Sequence, residues 1–236
     1  MPRPDVILFD VFGTLVSYEA QLTQIRYEST VSLLTSWGST LDHDEFVDVW
    51  DSVSRVLEDA SAASHVEHSM AEVATSFADV SGLDLSGDRS GRLCAQFLEE
   101  WCVPVVEVPG AVDMVDRLSS TYRLGVVSNT HDASMVPSLM GSMGIAHLFE
   151  CTILSVDHGF RKPHESIYLA AADRLGVRPE QVAFVGDSYE PDYLGPTQVG
   201  MTAFLIDPDR RHDVPEASRL DSVVDLEQRL VRLRDA

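Results

Sequence analysis

The 236-residue chain reads as an α/β protein, a doubly wound parallel sheet interrupted by an inserted helical segment. Three features lead to that reading: short unbroken apolar runs, helical patterns between most of them, and a long helical stretch after the first run. Val6-Ile7-Leu8-Phe9 is the first run; it ends at Asp10, and Gly13 and Thr14 follow, as for a buried strand entering a turn. Runs of the same kind recur at residues 124–127, 152–154, 182–185 and 203–206. Helical patterns fall at 112–118, opened by Pro109-Gly110, and at 167–175, closed by Gly176. Strands that are apolar along their whole length are buried on both faces, as in a parallel sheet covered by crossover helices.

Residues 17–105 break the alternation with amphipathic helical stretches at 22–37, 45–57, 70–80 and 91–101. The predicted architecture is therefore a Rossmann-like doubly wound parallel sheet formed by residues 1–16 and 106–236, with an α-helical cap domain over 17–105. Residues 207–219 are polar and read as a loop. Trp37, Trp50 and Trp101 lie in the helical segment, where aromatic residues at helical spacing pack a helical core more often than they line a cleft.

Composition narrows the function. The chain is 44% hydrophobic, and 38 acidic residues against 17 basic ones give a formal charge of −21. Such a charge opposes binding to nucleic acid or to an anionic membrane surface. Acid excess with a single lysine also resembles adaptation to high salt, where cations screen the self-repulsion of the surface. Cys94, Cys102 and Cys151 are widely spaced in mostly apolar settings, which suggests reduced thiols and a cytoplasmic location. No run has transmembrane length, and the partner expected is a small molecule, with the oligomeric state open.

In an open parallel sheet, ligands sit beyond the carboxyl ends of the strands. The residues that follow the apolar runs are Asp10 and Thr14, Ser128 and Asn129, Lys162, and Asp187 and Asp192. Each is weak alone, since an Asp after a strand is often a helix cap and Ser-Asn is often a turn. Together they bring three carboxylates, small polar groups and the only lysine of the chain to one rim. The other 16 basic residues are arginines, whose planar fork does not replace a compact ammonium one for one. Three converging carboxylates beside one lysine leave net negative charge, which raises a carboxyl pKa unless a cation binds.

The segments Phe9-Asp10-Val11-Phe12-Gly13-Thr14-Leu15, Val127-Ser128-Asn129-Thr130, Arg161-Lys162-Pro163 and Val185-Gly186-Asp187-Ser188 with Asp192 resemble the four ordered motifs of the haloacid dehalogenase-like (HAD) hydrolases. The helical stretch lies where that superfamily places its cap. The resemblance implies that Asp10 is a nucleophile forming an aspartyl ester, a covalent route that splits one hard displacement into two. It implies that Thr14 and Ser128 hold the nucleophile and transferred group, with Asn129 nearby, and that Lys162 stabilises charge on Asp10 and substrate. It further implies a Mg²⁺ site made by Asp10, the backbone carbonyl of Phe12, Asp187 and Asp192.

Two motifs then point in different directions. Phosphatases of this superfamily usually carry a second aspartate two positions after the nucleophile, acting as general acid and base. Phe12 occupies that position here and cannot transfer a proton. Losing such a transfer costs a phosphatase about 10²- to 10⁴-fold, whereas a departing halide needs no proton. L-2-haloacid dehalogenases, which work without metal, carry an aromatic residue there, and Tyr168 resembles a tyrosine that follows their lysine. Gly186-Asp187 with Asp192 resembles the phosphatase form instead. A buried surplus of carboxylates needs a counter-ion, whereas a proton donor can come from elsewhere, with His131, His164 and Glu19 as candidates. The expectation is a Mg²⁺-dependent phosphatase of a small phosphorylated metabolite. The alternatives are a metal-independent 2-haloacid dehalogenase and a weakly active or inactive phospho-ligand-binding protein.

Overall fold

A computed structural model of the protein describes residues 4–18 and 27–234. The chain divides into two compact units, Met1–Ser17 with Val106–Ala236, and Tyr18–Val105. The first holds a six-stranded sheet. Along the described residues the strands are β1 (Val6–Phe9), β2 (Val16–Tyr18), β3 (Val105–Glu107), β4 (Arg123–Ser128), β5 (Phe149–Leu154), β6 (Val182–Gly186), β7 (Thr202–Ile206) and β8 (Arg219–Leu220). The large sheet runs β5-β4-β1-β6-β7-β8, and each of its neighbouring pairs is parallel. β2 and β3, where the chain leaves the sheet unit and returns to it, pair separately.

β1 and β6 are buried at every residue, as their unbroken apolar sequence requires. β5 starts at Phe149, earlier than its apolar run suggests, because this edge strand buries only Cys151 and Leu154 fully and carries the exposed Glu150 and Thr152. The stretch read as a loop at 207–219 carries more structure than expected. The Asp207 carboxylate accepts the amide N–H groups of Arg211 (2.8 Å) and His212 (3.2 Å) and pairs with the buried Arg219 guanidinium. Arg219 then opens β8 beside β7. Polar composition hid this strand because its charged residue is buried and paired.

The helices of the insertion come first in the chain. Within that insertion lie α1 (Glu28–Ser36), α2 (His43–Ser64), α3 (Met70–Ser81) and α4 (Arg89–Trp101). α2 and α3 each open on a reciprocal capping box, Asp42 with Glu45 and Ser69 with Glu72. α1 has no side-chain cap of its own; Glu100 of α4 accepts the Ser29 and Thr30 amides, both at 2.9 Å, and the Thr30 hydroxyl at 2.6 Å. The core of this unit is aromatic, with Phe46, Trp50, Phe77 and Phe97 in contact and Trp50 and Phe97 centroids 4.5 Å apart. Trp50 is buried in that cluster and Trp37 and Trp101 pack against it, so helix packing accounts for all three. The expected helix at 22–37 begins partly outside the described residues.

The remaining helices are α5 (Ala111–Ser119), α6 (Met135–Ser142), α7 (Ser155–His158), α8 (Glu165–Leu175), α9 (Gly195–Gln198) and α10 (Leu226–Arg234). α8 lays Ile167, Tyr168, Ala171, Ala172 and Leu175 on Val6, Leu8, Val127, Val182 and Phe184. Each of the valine, leucine, isoleucine and phenylalanine side chains among these contributes roughly 1.5–3 kcal/mol on full burial. This packing fixes α8, and with it the Lys162 segment, against the three central strands. The three cysteines are not joined in disulfides; Cys94 and Cys151 are buried, and the Cys94 thiol donates to the Met70 carbonyl at 3.4 Å. Among the described residues no helix is long and apolar enough to cross a membrane.

Candidate active site

The sheet order places β1 between β4 and β6, so the carboxyl ends of three strands open side by side. Asp10 follows β1, and its amide donates to the Val185 carbonyl of β6 at 2.9 Å. The chain then turns sharply, with the amides of Leu15 and Val16 both donating to the Val11 carbonyl. Gly13 makes the turn at φ 78°, where L side chains are strained. Its missing Cβ matters as well, because a Cβ at this position would fall on the carboxylate of Asp187. The turn returns Thr14 under the strand end, where its buried hydroxyl donates to Asp10 Oδ2 at 3.2 Å.

Lys162 reaches the same point from the segment before α8. Its Nζ stands 2.6 Å from Asp10 Oδ1 and 2.7 Å from Asp192 Oδ1, and the residue is only 3% exposed. Asn129, just past β4, clasps the lysine main chain at both ends of its carboxamide. Its Nδ2 donates to the Lys162 carbonyl at 3.0 Å, and its Oδ1 accepts the Lys162 amide at 2.8 Å. Asn129 thus positions Lys162 through the backbone. Ser128, fully buried at the end of β4, has its hydroxyl 3.5 Å from the Asn129 carbonyl, at the limit of a hydrogen bond.

Asp187 and Asp192 come from the segment after β6. Asp192 sits within a π-helical turn, Tyr189–Leu194, and is 1% exposed. Its Oδ2 accepts the Ser188 amide at 2.9 Å, while its own amide donates to the Ser188 carbonyl at 2.8 Å. Ser188 was not among the residues expected from the sequence; its place four residues before Asp192 is the signal that could have found it. Asp10, Asp187 and Asp192 each present a carboxylate oxygen, and these lie within 4.8 Å of one another. Asp187 is the exposed member of the three.

Charge crowding shows in the titration of these groups. Burial pushes the Asp10 carboxyl up to about 7 from an ordinary 3.8; Lys162 pulls it down, while Asp192 and Asp187 add to the rise. Asp187 is raised by burial and by the Asp192 charge, while the Ser188 hydroxyl and the Lys162 charge pull it the other way. Burial works against the Lys162 ammonium, yet Asp10 and Asp192 outweigh it and hold the group protonated. One cation therefore serves three acids. Hard carboxylate oxygens at this spacing, one of them open to solvent, fit an oxygen-seeking divalent ion such as Mg²⁺.

The other residues singled out in the sequence are engaged differently. Phe12 is half-buried and bridges Val16 within the turn. His164 caps α8, with Nδ1 2.8 Å from Ser166 Oγ and its ring stacked on Phe160 at 4.2 Å. His131 is half-buried just past β4, and Glu19 lies outside the described residues. Tyr168 is fully buried, edge-on to Phe184 at 5.6 Å.

A parallel sheet whose strand ends gather an aspartate, a lysine and two further acids defines a hydrolase of the kind the four motifs resemble. The chain belongs to the haloacid dehalogenase-like hydrolases, whose family pattern it matches over residues 4–200. It is 38% identical over 93 residues to a glyceraldehyde 3-phosphate phosphatase of Methanothermobacter thermautotrophicus, covering 39% of this chain and 41% of that one. It is 26% identical over 197 residues to (S)-2-haloacid dehalogenase 4A of Burkholderia cepacia, covering 77% and 74%. The crystal structure of a 2-haloacid dehalogenase from Pseudomonas syringae pv. tomato superposes with a TM-score of 0.71 at 20% identity, covering 98% of this chain and 99% of that one, which shows the shared fold. The matches to the phosphatase-named relative and to a second one, from Methanopyrus kandleri, span 41% and 45% of those proteins.

Proposed function

We propose that the protein is a Mg²⁺-dependent phosphatase acting on a small phosphorylated metabolite. The observation that carries this reading is the cluster of Asp10, Asp187 and Asp192 about a single ammonium, a charge balance that a divalent cation completes. Asp10, the Phe12 carbonyl, Asp187 and Asp192 would hold the ion, which when bound neutralises charge on the phosphoryl oxygens. The residues supply the rest. A carboxylate oxygen of Asp10 attacks phosphorus, the bond from phosphorus to the ester oxygen breaks, and the departing alkoxide takes up a proton from water. Water then attacks the aspartyl phosphate, releasing phosphate and restoring the Asp10 carboxylate. Thr14 keeps one Asp10 oxygen oriented, Lys162 balances its charge, and the Ser128 hydroxyl, only 3.5 Å from the Asn129 carbonyl, would turn from it to the transferred group. The helical segment 17–105 would serve as the cap that selects the substrate.

Phe12 favours a second reading, a metal-independent 2-haloacid dehalogenase, in which Asp10 displaces halide from carbon and no proton donor is needed. A third, a weakly active or inactive protein that binds a phosphorylated ligand, also rests on Phe12. A panel of phosphate esters and 2-chloropropionate, each with Mg²⁺ and with chelator, separates them. Phosphate release lost on chelation is the expected result; chloride release that survives chelation establishes the second reading, and ester binding with no turnover the third. The acidic composition supports reading the enzyme as one adapted to a salt-rich cytoplasm.

A further inference from the structure

The turn that carries Asp192 has a gap in its backbone bonding that the sequence itself creates. In a π-helix, each carbonyl meets the N–H five residues on. Within Tyr189–Leu194 the Glu190 carbonyl accepts the Gly195 amide in this way. The next carbonyl, that of Pro191, would need the N–H of residue 196, which is proline and has none. A buried carbonyl left unpaired costs free energy comparable to a lost hydrogen bond. Tyr168 closes the gap from α8, its hydroxyl donating to the Pro191 carbonyl.

The residues around this bond fit one another. A Cβ on Gly195 would stand 2.8 Å from Tyr168 Cζ and 2.9 Å from Cε2, so only glycine leaves room for the ring. Burial, with the charges of Asp192 and Asp10, pushes the Tyr168 hydroxyl far up, so it remains a donor. Tyr168, Gly195 and Pro196 thus form one interlocking set around the Pro191 carbonyl, next to Asp192 in the chain.

We infer that Tyr168 is a positioning residue, locking the π-helical turn so that the two oxygens of Asp192 stay aimed at Lys162 Nζ and at the Ser188 amide. The consequence for metal binding rests on the proposed role of Asp192, whereas the lock itself does not. Tyr168→Phe removes one oxygen and keeps the ring. In the metal-free protein it is expected to speed hydrogen exchange at the Asp192 and Gly195 amides by roughly five- to tenfold. By calorimetry, Mg²⁺ affinity is expected to fall about tenfold, as when other outer partners of a metal ligand are removed. Adding Pro196→Ala to Tyr168→Phe restores a backbone donor for the Pro191 carbonyl and should recover both quantities. Exchange within twofold of the parent in Tyr168→Phe overturns the inference, and so does faster exchange that Pro196→Ala leaves unrepaired. If the parent binds no Mg²⁺, the metal assignment fails while the exchange rates still decide the lock.

Discussion

The Nζ of Lys162 lies 2.6 Å from Oδ1 of Asp10, although 152 residues separate the two along the chain. The contact is made twice over, since the same Nζ holds Asp192 at 2.7 Å and Asn129 grips the lysine main chain at both its amide and its carbonyl. A point charge placed between two buried oxygens at hydrogen-bond distance has little room for a larger head group.

Lys162→Arg is therefore expected to lower kcat/KM by about 10²-fold or more, although formal charge is unchanged. The guanidinium is planar and wider than an ammonium, so it cannot meet both oxygens without moving one carboxylate. Steady-state kinetics on the best phosphate ester provides the check. Activity within a few-fold of the parent would show that charge alone, and not its placement, matters.

Asp10 gives the metal-free protein a defined pH response. Its folded value of about 7 lies above the ordinary 3.8, so between about pH 4 and 7 the folded state holds the proton more tightly than the unfolded chain. This contribution to stability is present at acid pH and is lost as pH rises through 7. Melting of chelated protein across that range should show the loss, and Asp10→Asn should remove it. Metal binding must displace the same proton, so Mg²⁺ affinity should climb toward pH 7 and level off above it. Calorimetry in buffers of different ionisation enthalpy reads the proton released.

Gly13→Ala tests the turn after β1. The new methyl faces φ 78° and the Asp187 carboxylate together, and left-handed strain alone costs about 1–3 kcal/mol. The variant should melt lower and also bind Mg²⁺ more weakly, because Asp187 has to move. A stability loss with unchanged metal affinity would separate Asp187 from the metal site.

Added KCl is expected to raise the melting temperature. A formal charge of −21 repels itself, and at about 1 M salt the screening length shrinks to about 3 Å. Thermal melts across a KCl series, repeated in the non-ionic osmolyte sucrose, distinguish screening from general exclusion. A flat or falling profile in KCl would remove the case for adaptation to salt.

The central strands were legible in the sequence because burial on both faces leaves unbroken apolar runs, and those of β1, β6 and β7 coincide with the strands to within a residue. The edges were harder. β5 mixes buried residues with the exposed Glu150 and Thr152, and β8 consists of Arg219 and Leu220, an arginine buried through its pairing with Asp207. The site residues could be named one by one because each follows a strand or opens a helix. Their bonding could not be read, since it depends on distance between remote segments. Asn129 is expected from the sequence only near the nucleophile, and its carboxamide clasps the Lys162 backbone; Tyr168 resembles a tyrosine that follows the dehalogenase lysine, and its hydroxyl donates to the Pro191 carbonyl. The π-helical turn left no periodic signal, because Pro191, Gly195 and Pro196 suppress the helical pattern that would announce it.

A chain of 236 residues with a single ε-amine, 97% covered where Asp10 and Asp192 hold it, carries a built-in reporter. Acylating reagents that tag lysine side chains have one such target here, and it becomes reactive only when the carboxylates let go. The rate at which an intact-mass spectrum gains that adduct, with and without a bound phosphate ester, measures how often the catalytic rim opens.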